Sequence, residues 1–332
     1  MMRAAWYERN GAAEDVLRFG EQPVPEPRPG EVRIRLAYSG VNPSDVKSRA
    51  GSRPVREGIV IPHSDGAGVI DGVGEGVDPA RIGERVWTWN AQYKRSHGTA
   101  AEYIALPSEQ AVPLPDGTSF EAGACLGIPA LTAYRAVELA ELADGQSVLV
   151  IGGASAVGFY AAQMARARGA RVIATVGSEE KATYLRQAGF HETILYKQVS
   201  VAQQALSLTH GAGVDAIIDM DFSTSYALVD EGVLAAHGRY VCYGSNTRGA
   251  VPLNYANWLP RSLTLRFFLV YELTPAQRSN AVNGLQALLR EGRLQHNIGA
   301  RFPLRRIVDA HHAVERGVLG NVVVDCAAEI NA

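Results

Sequence analysis

Three features that mark whole protein classes are scarce in this sequence. It has only three cysteines, Cys125, Cys242 and Cys326, which lie far apart and form no CxxC pair. This spacing argues against a disulfide framework or a structural zinc site and fits the reduced thiols of a cytoplasmic protein. The apolar stretches at 148–165 and 263–271 are interrupted by glycine or too short to cross a bilayer, and the N-terminus lacks an apolar signal segment.

An excess of charge of one sign is also missing. The chain carries 32 Lys and Arg against 34 Asp and Glu, a net charge of −2, and the basic residues are scattered. Such a distribution gives no footprint for nucleic acid or an anionic membrane. The 332 residues are 47% hydrophobic, which is enough for one large or two ordinary domains with real cores. We expect a soluble cytoplasmic protein with neither nucleic acid nor membrane as partner.

The predicted secondary structure differs between the first third of the chain and the rest. The first third has short apolar runs between Gly/Pro turns, and 31–41 alternates apolar and charged residues, which predicts a compact β-barrel-like domain. From residue 146 strands alternate with helices, which predicts an α/β fold, a doubly wound parallel sheet of the Rossmann type. The six predicted strands are 148–151, 171–176, 193–195, 216–219, 239–243 and 264–270. Helices at 275–290 and 305–317 and a strand at 321–325 are expected to return to the first domain.

The segment after the first of these strands reads as a phosphate cradle. It comprises Gly152, Gly153, Ala154, Ser155, Ala156, Val157 and Gly158. A tight turn of small residues between a buried strand and a helix lets backbone N–H groups approach a pyrophosphate at the positive helix end. In a GxGxxG template starting at Gly153, Ser155 replaces the middle glycine. A tightly packed connection that binds nothing is the alternative, and the further strands favour a dinucleotide site.

The end of the second strand predicts which dinucleotide binds. NAD sites carry a carboxylate there for the ribose 2′-hydroxyl, whereas this chain has Thr175, Val176, Gly177 and Ser178. With Ser178 and Lys181 in the following turn, we expect NADPH as the cofactor. The alternative for Lys181 is an ordinary solvated lysine.

Seven motifs in fixed order now identify a family. They are GVNPSD (40–45), PHSDGAGV (62–69), GERV (83–86), GTAAEY (98–103), LGIPALTAY (126–134), GRYV (238–241) and GNVVV (320–324), with the glycine turn among them. The chain resembles the zinc-free, zeta-crystallin-like quinone oxidoreductases of the medium-chain dehydrogenase/reductase superfamily. The resemblance implies a GroES-like barrel domain (1–124 and 273–332), a Rossmann domain (125–272), an active site in the cleft between them, and homodimers or higher oligomers joined at 263–270.

The resemblance also implies that this chain lacks the catalytic zinc site of its zinc-dependent relatives. The positions that match the Cys and His ligands of zinc-dependent relatives are Asn42 and Ser64, which are poor zinc ligands. His63 reads as structural, and His311 and His312 as surface or packing residues. We expect no metal site.

The resemblance supplies further site residues. Asn42, Lys47 and Thr132 are the catalytic candidates, although Asn42 can also be a turn residue before proline and Lys47 a surface lysine where many relatives have tyrosine. Expected cofactor contacts beyond the glycine turn, Ser178 and Lys181 are Asn42, Thr132, Tyr196, Ser245, Asn246, Phe268, Val270 and Asn321.

We therefore expect an NADPH-dependent oxidoreductase that transfers hydride, without zinc, to a small molecule, either a quinone or an α,β-unsaturated carbonyl compound. Such acceptors delocalise the developing charge, so that a few hydrogen-bond donors suffice. An alcohol or carbonyl dehydrogenase and a non-catalytic NADPH-binding protein are the alternatives.

Overall fold

A computed structural model of the chain describes residues 1–55, 58–247 and 249–327. The chain forms two compact units, of which unit 1 comprises the described residues of Met1–Ile128 and Gln286–Ala332, and unit 2 comprises Pro129–Leu285. The domain limits expected from the sequence, 124/125 and 272/273, stay a prediction.

The secondary structure elements are numbered in chain order. The strands are β1 (Met2–Trp6), β2 (Arg18–Gln22), β3 (Glu31–Val41), β4 (Asp65–Val73), β5 (Arg85–Thr88), β6 (Tyr103–Pro107), β7 (Ala111–Pro113), β8 (Ser147–Val150), β9 (Arg171–Val176), β10 (Thr193–Leu195), β11 (Val214–Asp219), β12 (Leu234–Cys242), β13 (Thr264–Phe267), β14 (Ile298–Pro303) and β15 (Asn321–Asp325). The α-helices are α1 (Ala13–Val16), α2 (Pro43–Lys47), α3 (Phe120–Gly123), α4 (Leu131–Ala140), α5 (Ala156–Ala167), α6 (Glu179–Gln187), α7 (Val201–Leu208), α8 (Phe222–Ser225), α9 (Tyr255–Trp258), α10 (Pro275–Arg290) and α11 (Ile307–Glu315).

Unit 1 is built on the long strand β3. The main sheet runs β14-β15-β3-β4-β5-β7, and β6 also pairs with β3. Val32, Ile34 and Leu36 of β3 are buried because the alternating pattern turns them to one face. The C-terminal strand β15 pairs antiparallel with the last part of β3, from Val322 opposite Val41 to Asp325 opposite Tyr38. The last strand of the chain thus lies beside one of the first.

Unit 2 contains a six-stranded parallel sheet in the order β10-β9-β8-β11-β12-β13. The predicted doubly wound sheet is confirmed. Strand order reverses between β8 and β11, and in open α/β sheets ligands bind outside the carboxyl ends of the strands at such a point. The glycine turn follows β8, and the loop after β11 stands next to it.

Some predicted bounds are wrong. Strand β12 begins at Leu234, five residues before the prediction, and β13 ends at Phe267, opposite the last residue of β12, instead of at residue 270. The hairpin of β1 and β2 was not predicted, since the buried stretch MRAAW shows no alternation. None of the helices among the described residues combines the length and apolar character needed to cross a membrane.

Candidate functional site

The glycine turn of unit 2 is fixed to the neighbouring strand β9. Gly152 has φ +70°, a conformation that suits glycine. Its N–H donates to Thr175 Oγ1 at 2.9 Å, and the N–H of Gly153 donates to the Thr175 carbonyl at 3.0 Å. Thr175 therefore holds the turn in place. Sequence reasoning had noted this position only because it carries no carboxylate.

Gly153 and Gly158 are needed for close approach rather than for unusual dihedral angles. A Cβ on Gly158 would lie 2.2 Å from the carbonyl oxygen of Gly152, and one on Gly153 would lie 2.6 Å from Cβ of Ala174. The first contact is with backbone, so no side chain can rotate away to relieve it. The turn accepts only glycine at Gly158 in its present shape.

Ser155 caps the helix that follows. Its Oγ accepts the N–H of Gly158 at 3.0 Å, and its backbone is extended, as expected of an N-cap residue. The N–H groups of Ala156 and Val157, in the first turn of α5, have no partner within the helix. The turn thus directs backbone donors and a positive helix end outwards, which fits a pyrophosphate.

The structure brings Ser178, Lys181 and Tyr196 together at the end of β9. Ser178 caps α6, and its Oγ accepts the Lys181 N–H at 3.4 Å. Tyr196 Oη would lie 2.9 Å from a Cβ on Gly177, so the tyrosine covers this loop and remains half exposed. Three groups able to contact a 2′-phosphate therefore surround one loop that carries no carboxylate between Thr175 and Ser178.

The loops after β11 and β12 are tied by Asp221, a residue that sequence reasoning missed. Its carboxylate accepts both the backbone N–H and the side-chain amide of Asn246, each at 2.8 Å. It also accepts hydroxyl groups from Ser223 and Thr224, at 2.6 and 3.0 Å. The predicted contact Asn246 is thus held by its amide, while Ser245 Oγ donates to the Thr247 carbonyl at 2.8 Å. The sequence signal that could have indicated Asp221 is the group of short polar residues that follows β11, since such residues commonly bond to loop backbone.

Beside these loops lies a largely apolar pocket of about 520 Å³. Tyr243, Phe267 and Phe268 are among the residues that line it, together with Ser245. Phe267 is 60% exposed, because β13 is the last strand of the sheet. An apolar pocket with aromatic walls fits a flat organic ring system.

Thr132, Phe268 and Val270 are also in unit 2. Thr132 is buried in the first turn of α4. The N–H of Phe268 donates to the Cys242 carbonyl at 3.2 Å, and the carbonyl of Val270 accepts from Arg278 Nη2. These backbone groups therefore have partners within the fold.

Asn42 in unit 1 occupies the N-cap position of α2 and is buried between two carboxyl groups. Its backbone N–H donates to Asp45 Oδ2 at 2.8 Å, and its side-chain Nδ2 donates to Asp65 Oδ2 at 2.8 Å. Asp65 Oδ2 also accepts the Ile128 N–H at 3.0 Å, whereas no partner for Asp65 Oδ1 is seen among the described residues. Burial raises the pKa of Asp45 to about 7 and raises that of Asp65 well above its ordinary value, with a further contribution from Asp45. Asp65 was missed because its contact joins two strands of unknown register.

His63 and His311 form a buried chain of hydrogen bonds. His63 Nε2 lies 3.0 Å from His311 Nε2, and His63 Nδ1 lies 2.8 Å from Ser39 Oγ. Ser39 Oγ meets Thr99 Oγ1 at 2.8 Å, and Thr99 donates to the Asp65 carbonyl at 2.6 Å. A carbonyl only accepts, so Thr99 accepts from Ser39, and Ser39 accepts from His63 Nδ1.

Burial lowers the pKa of His63 to about 3 and that of His311 well below its usual range, so both imidazoles are neutral, and His63 Nε2 then accepts from His311 Nε2. His311 is buried in this chain, whereas His312 lies at 3.0 Å from Glu14.

The zinc-ligand positions hold an amide and a hydroxyl group. Ser64 is buried, and no partner of its Oγ is seen among the described residues. Within residues 1–55, 58–247 and 249–327, no three His, Cys, Asp or Glu side chains are grouped so that they could hold a metal ion.

Lys47 and Asn321, two more predicted site residues of unit 1, differ from each other in exposure. Lys47 is exposed at the end of α2. Asn321 is buried, and both its N–H and its side-chain amide donate to the Asn297 carbonyl, at 2.8 and 2.9 Å. The amide of Asn321 thus holds the start of β15.

Comparison with known proteins agrees with this architecture. Residues 28–116 match the model of the alcohol dehydrogenase GroES-like domain, and residues 156–287 match the model described as zinc-binding dehydrogenase. The GroES-like domain expected from the resemblance is confirmed. The human quinone oxidoreductase is 30% identical over 319 residues, 96% of this chain and 95% of that protein.

Two solved structures are also close. One, described as an NAD-dependent alcohol dehydrogenase, has 30% identity and a TM-score of 0.88 and covers 98% of this chain and 99% of its own. A mycobacterial protein complexed with NADPH has 29% identity and a TM-score of 0.85, with 97% and 99% covered. From the ordered motifs, the two domain matches and the nearly full-length relatives, the chain belongs to the quinone oxidoreductase family of the medium-chain dehydrogenase/reductase superfamily.

Proposed function

We propose that the protein is an NADPH-dependent reductase of quinones or α,β-unsaturated carbonyl compounds that works without zinc. The observation that carries the proposal is the glycine turn Gly152–Gly158, held against β9, beside a strand end without a carboxylate. The relatives are quinone oxidoreductases, and one neighbouring structure contains NADPH. Both support the same assignment.

The residues present fit NADPH. The turn Gly153–Gly158 offers backbone donors for the pyrophosphate, and a side chain on Gly158 would collide with the Gly152 carbonyl and displace those donors. Ser178, Lys181 and Tyr196 would hold the 2′-phosphate, and the loop of Ser245 and Asn246 would contact the ribose and nicotinamide. Thr132, Phe268 and Val270 remain proposed contacts, as does Asn321 in unit 1.

NADPH, when bound, supplies a hydride to the acceptor. The negative charge that then develops on the acceptor oxygen needs a hydrogen-bond donor, and we assign this role to the side-chain amide of Asn42. An amide and a hydroxyl group at Asn42 and Ser64 are weak zinc ligands, so a Lewis acid has no suitable donor set there. Lys47, exposed on α2, is a second candidate for attracting an anionic acceptor.

The apolar pocket supports the choice of acceptor. Its aromatic side chains, Tyr243, Phe267 and Phe268, offer apolar faces for a ring or conjugated chain. The position of β13 as an edge strand further supports a homodimer or higher oligomer joined at this edge. We place such an assembly in the cytoplasm.

A substrate panel tests the proposal. Purified protein with NADPH should reduce at least one compound among quinones, enones and acrylates, with oxidation of NADPH followed at 340 nm. Reduction that is unaffected by a zinc chelator is the expected result. Because one close structure is described as an alcohol dehydrogenase, alcohols with NAD and NADP complete the panel. Chelator-sensitive alcohol oxidation would replace the proposal by that activity, and binding of NADPH without turnover of any compound in the panel would favour the non-catalytic NADPH-binding protein.

Lys181→Ala tests the nucleotide preference. The substitution should raise KM for NADPH by roughly ten- to one hundred-fold, since a hydrogen bond between charged groups contributes about 1.5–3 kcal/mol. KM for NADH should change by less than about two-fold, because NADH has no 2′-phosphate. Equal effects on both nucleotides would remove Lys181 from the site.

A further inference from the structure

We propose that Asp65 is a positioning residue: its buried carboxyl group holds the Asn42 amide in one orientation and directs the second Nδ2 proton to the acceptor oxygen. The proposal rests on the proposed function, because it assigns the acceptor oxygen to Asn42. It concerns only contacts within unit 1.

The geometry carries the argument. A planar amide has two Nδ2 protons about 120° apart, so a hydrogen bond from one of them fixes the direction of the other. The 2.8 Å contact with Asp65 Oδ2 uses the first proton. Asp65 cannot drift, since the Ile128 N–H binds the same oxygen and Thr99 Oγ1 binds the Asp65 carbonyl. Without the carboxyl group, the Asn42 amide would lose the acceptor that fixes the direction of its Nδ2 protons.

The pairing of strands explains why these residues meet. Asn42 follows the end of β3 and Asp65 begins β4, and in the antiparallel pair Gly40 lies opposite Asp65. A Cβ on Gly40 would meet the Ala124 carbonyl oxygen at 2.0 Å, and one on Gly127 would meet Asp65 Oδ1 at 2.4 Å. Backbone therefore closes tightly around the carboxyl group, and a longer side chain at position 65 has no room.

The charge of Asp65 also matters. It is fully buried, and one of its oxygens has no donor among the described residues. A second buried carboxyl group, Asp45, binds the backbone of the same Asn42. Both conditions favour the neutral acid. A neutral Asp65 suits the task, since a carboxylate would oppose negative charge forming on the acceptor beside Asn42.

A double-mutant cycle tests the coupling. Asp65→Asn keeps an acceptor for Asn42 and Ile128 and mimics the neutral acid, so kcat should stay within about three-fold of wild type. Asp65→Leu removes the acceptor and should lower kcat about 30-fold or more, with KM for NADPH nearly unchanged. In an Asn42→Ala background the same Asp65→Leu change should have almost no further effect on kcat.

Additive losses in the cycle, or wild-type kcat in Asp65→Leu, would overturn the proposal. Thr209→Val is the control, because Thr209 is buried and its hydroxyl group is bonded within unit 2, to the Ala205 carbonyl and the Gly213 N–H. It should lower Tm and leave kcat unchanged. An equal fall of kcat in this control would indicate general destabilisation instead.

NMR of the 15N-labelled wild-type protein gives a readout without turnover, and it holds even if Asp65→Leu does not fold. The Asn42 side-chain signals are identified by their loss in Asn42→Ala. We expect one Nδ2 proton to exchange with water at least 100-fold more slowly than in an exposed asparagine. Fast exchange of both protons would refute the hydrogen bond, whereas slow exchange in an inactive protein would leave the positioning contact intact and refute the proposed function alone.

Discussion

Replacing Gly158 with alanine is expected to raise the Kd of NADPH at least about 100-fold. The new Cβ would lie 2.2 Å from the Gly152 carbonyl oxygen, so the turn must move by roughly 1 Å, and a displacement of that size costs about two orders of magnitude in positioned contacts. Helix α5 would shift away from Gly152, and with it the donors of Ala156 and Val157. Fluorescence titration of NADPH measures the change.

Gly117→Ala is the control for the loss of a glycine as such. Gly117 does not have a positive φ, and a Cβ there would meet nothing within 4 Å. Its Kd for NADPH should equal that of wild type. If Gly158→Ala bound NADPH as tightly as wild type while remaining folded, the turn would not be the pyrophosphate site.

Asn42→Ala is expected to lower kcat about 100-fold while the Kd of NADPH changes by less than about three-fold. Removing one donor from a developing oxyanion commonly costs 10²- to 10³-fold in kcat, and the residue makes its contribution as the charge forms. Steady-state kinetics with the best acceptor of the panel, together with NADPH titration, separates these two quantities.

The same substitution also removes an N-cap residue, which costs about 1 kcal/mol of stability. Ser119→Ala is a matched control, since Ser119 caps α3 by accepting the Ala122 N–H at 3.2 Å. It should lower Tm without changing kcat. Normal turnover by Asn42→Ala would exclude the residue from catalysis.

Much of the fold could be predicted because its signals are local. Helix α10 and strands β3 and β15 have the predicted bounds, since apolar periodicity and turn residues mark both ends of each. The end of β13 could not be predicted, because Phe268–Val270 is as apolar as the strand before it. The strand ends opposite Cys242, the last residue of its partner β12, and a 3-10 turn follows at Val270, whose carbonyl accepts from Arg278. Neither the partner strand nor this contact is encoded in the local pattern.

In the candidate site, too, the features that are local in sequence could be predicted and those that depend on distant contacts could not. The glycine turn was predictable, because strand, small residues and helix are contiguous in sequence. Thr175, Asp221 and Asp65 were not, because each acts on a residue 23 to 25 positions away. For Asp65 the register of β3 and β4 decides the contact, and that pairing contains irregularities between Arg33 and Ile34 and between Leu36 and Tyr38. The alternation of apolar and polar residues along a strand does not reveal where the register of its pairing shifts.

The pairing of His63 with His311 spans 248 positions of sequence, and β15 reaches β3 across a similar distance. Unit 2 is one continuous segment and can fold as soon as it has left the ribosome. Unit 1 is completed only when β15 has been synthesised, and until then residues 38–41 of β3 lack one of their partner strands. We therefore expect unit 2 to fold before unit 1, although unit 1 begins to be made first, and we expect the slow step of folding to be the pairing of β15 with β3.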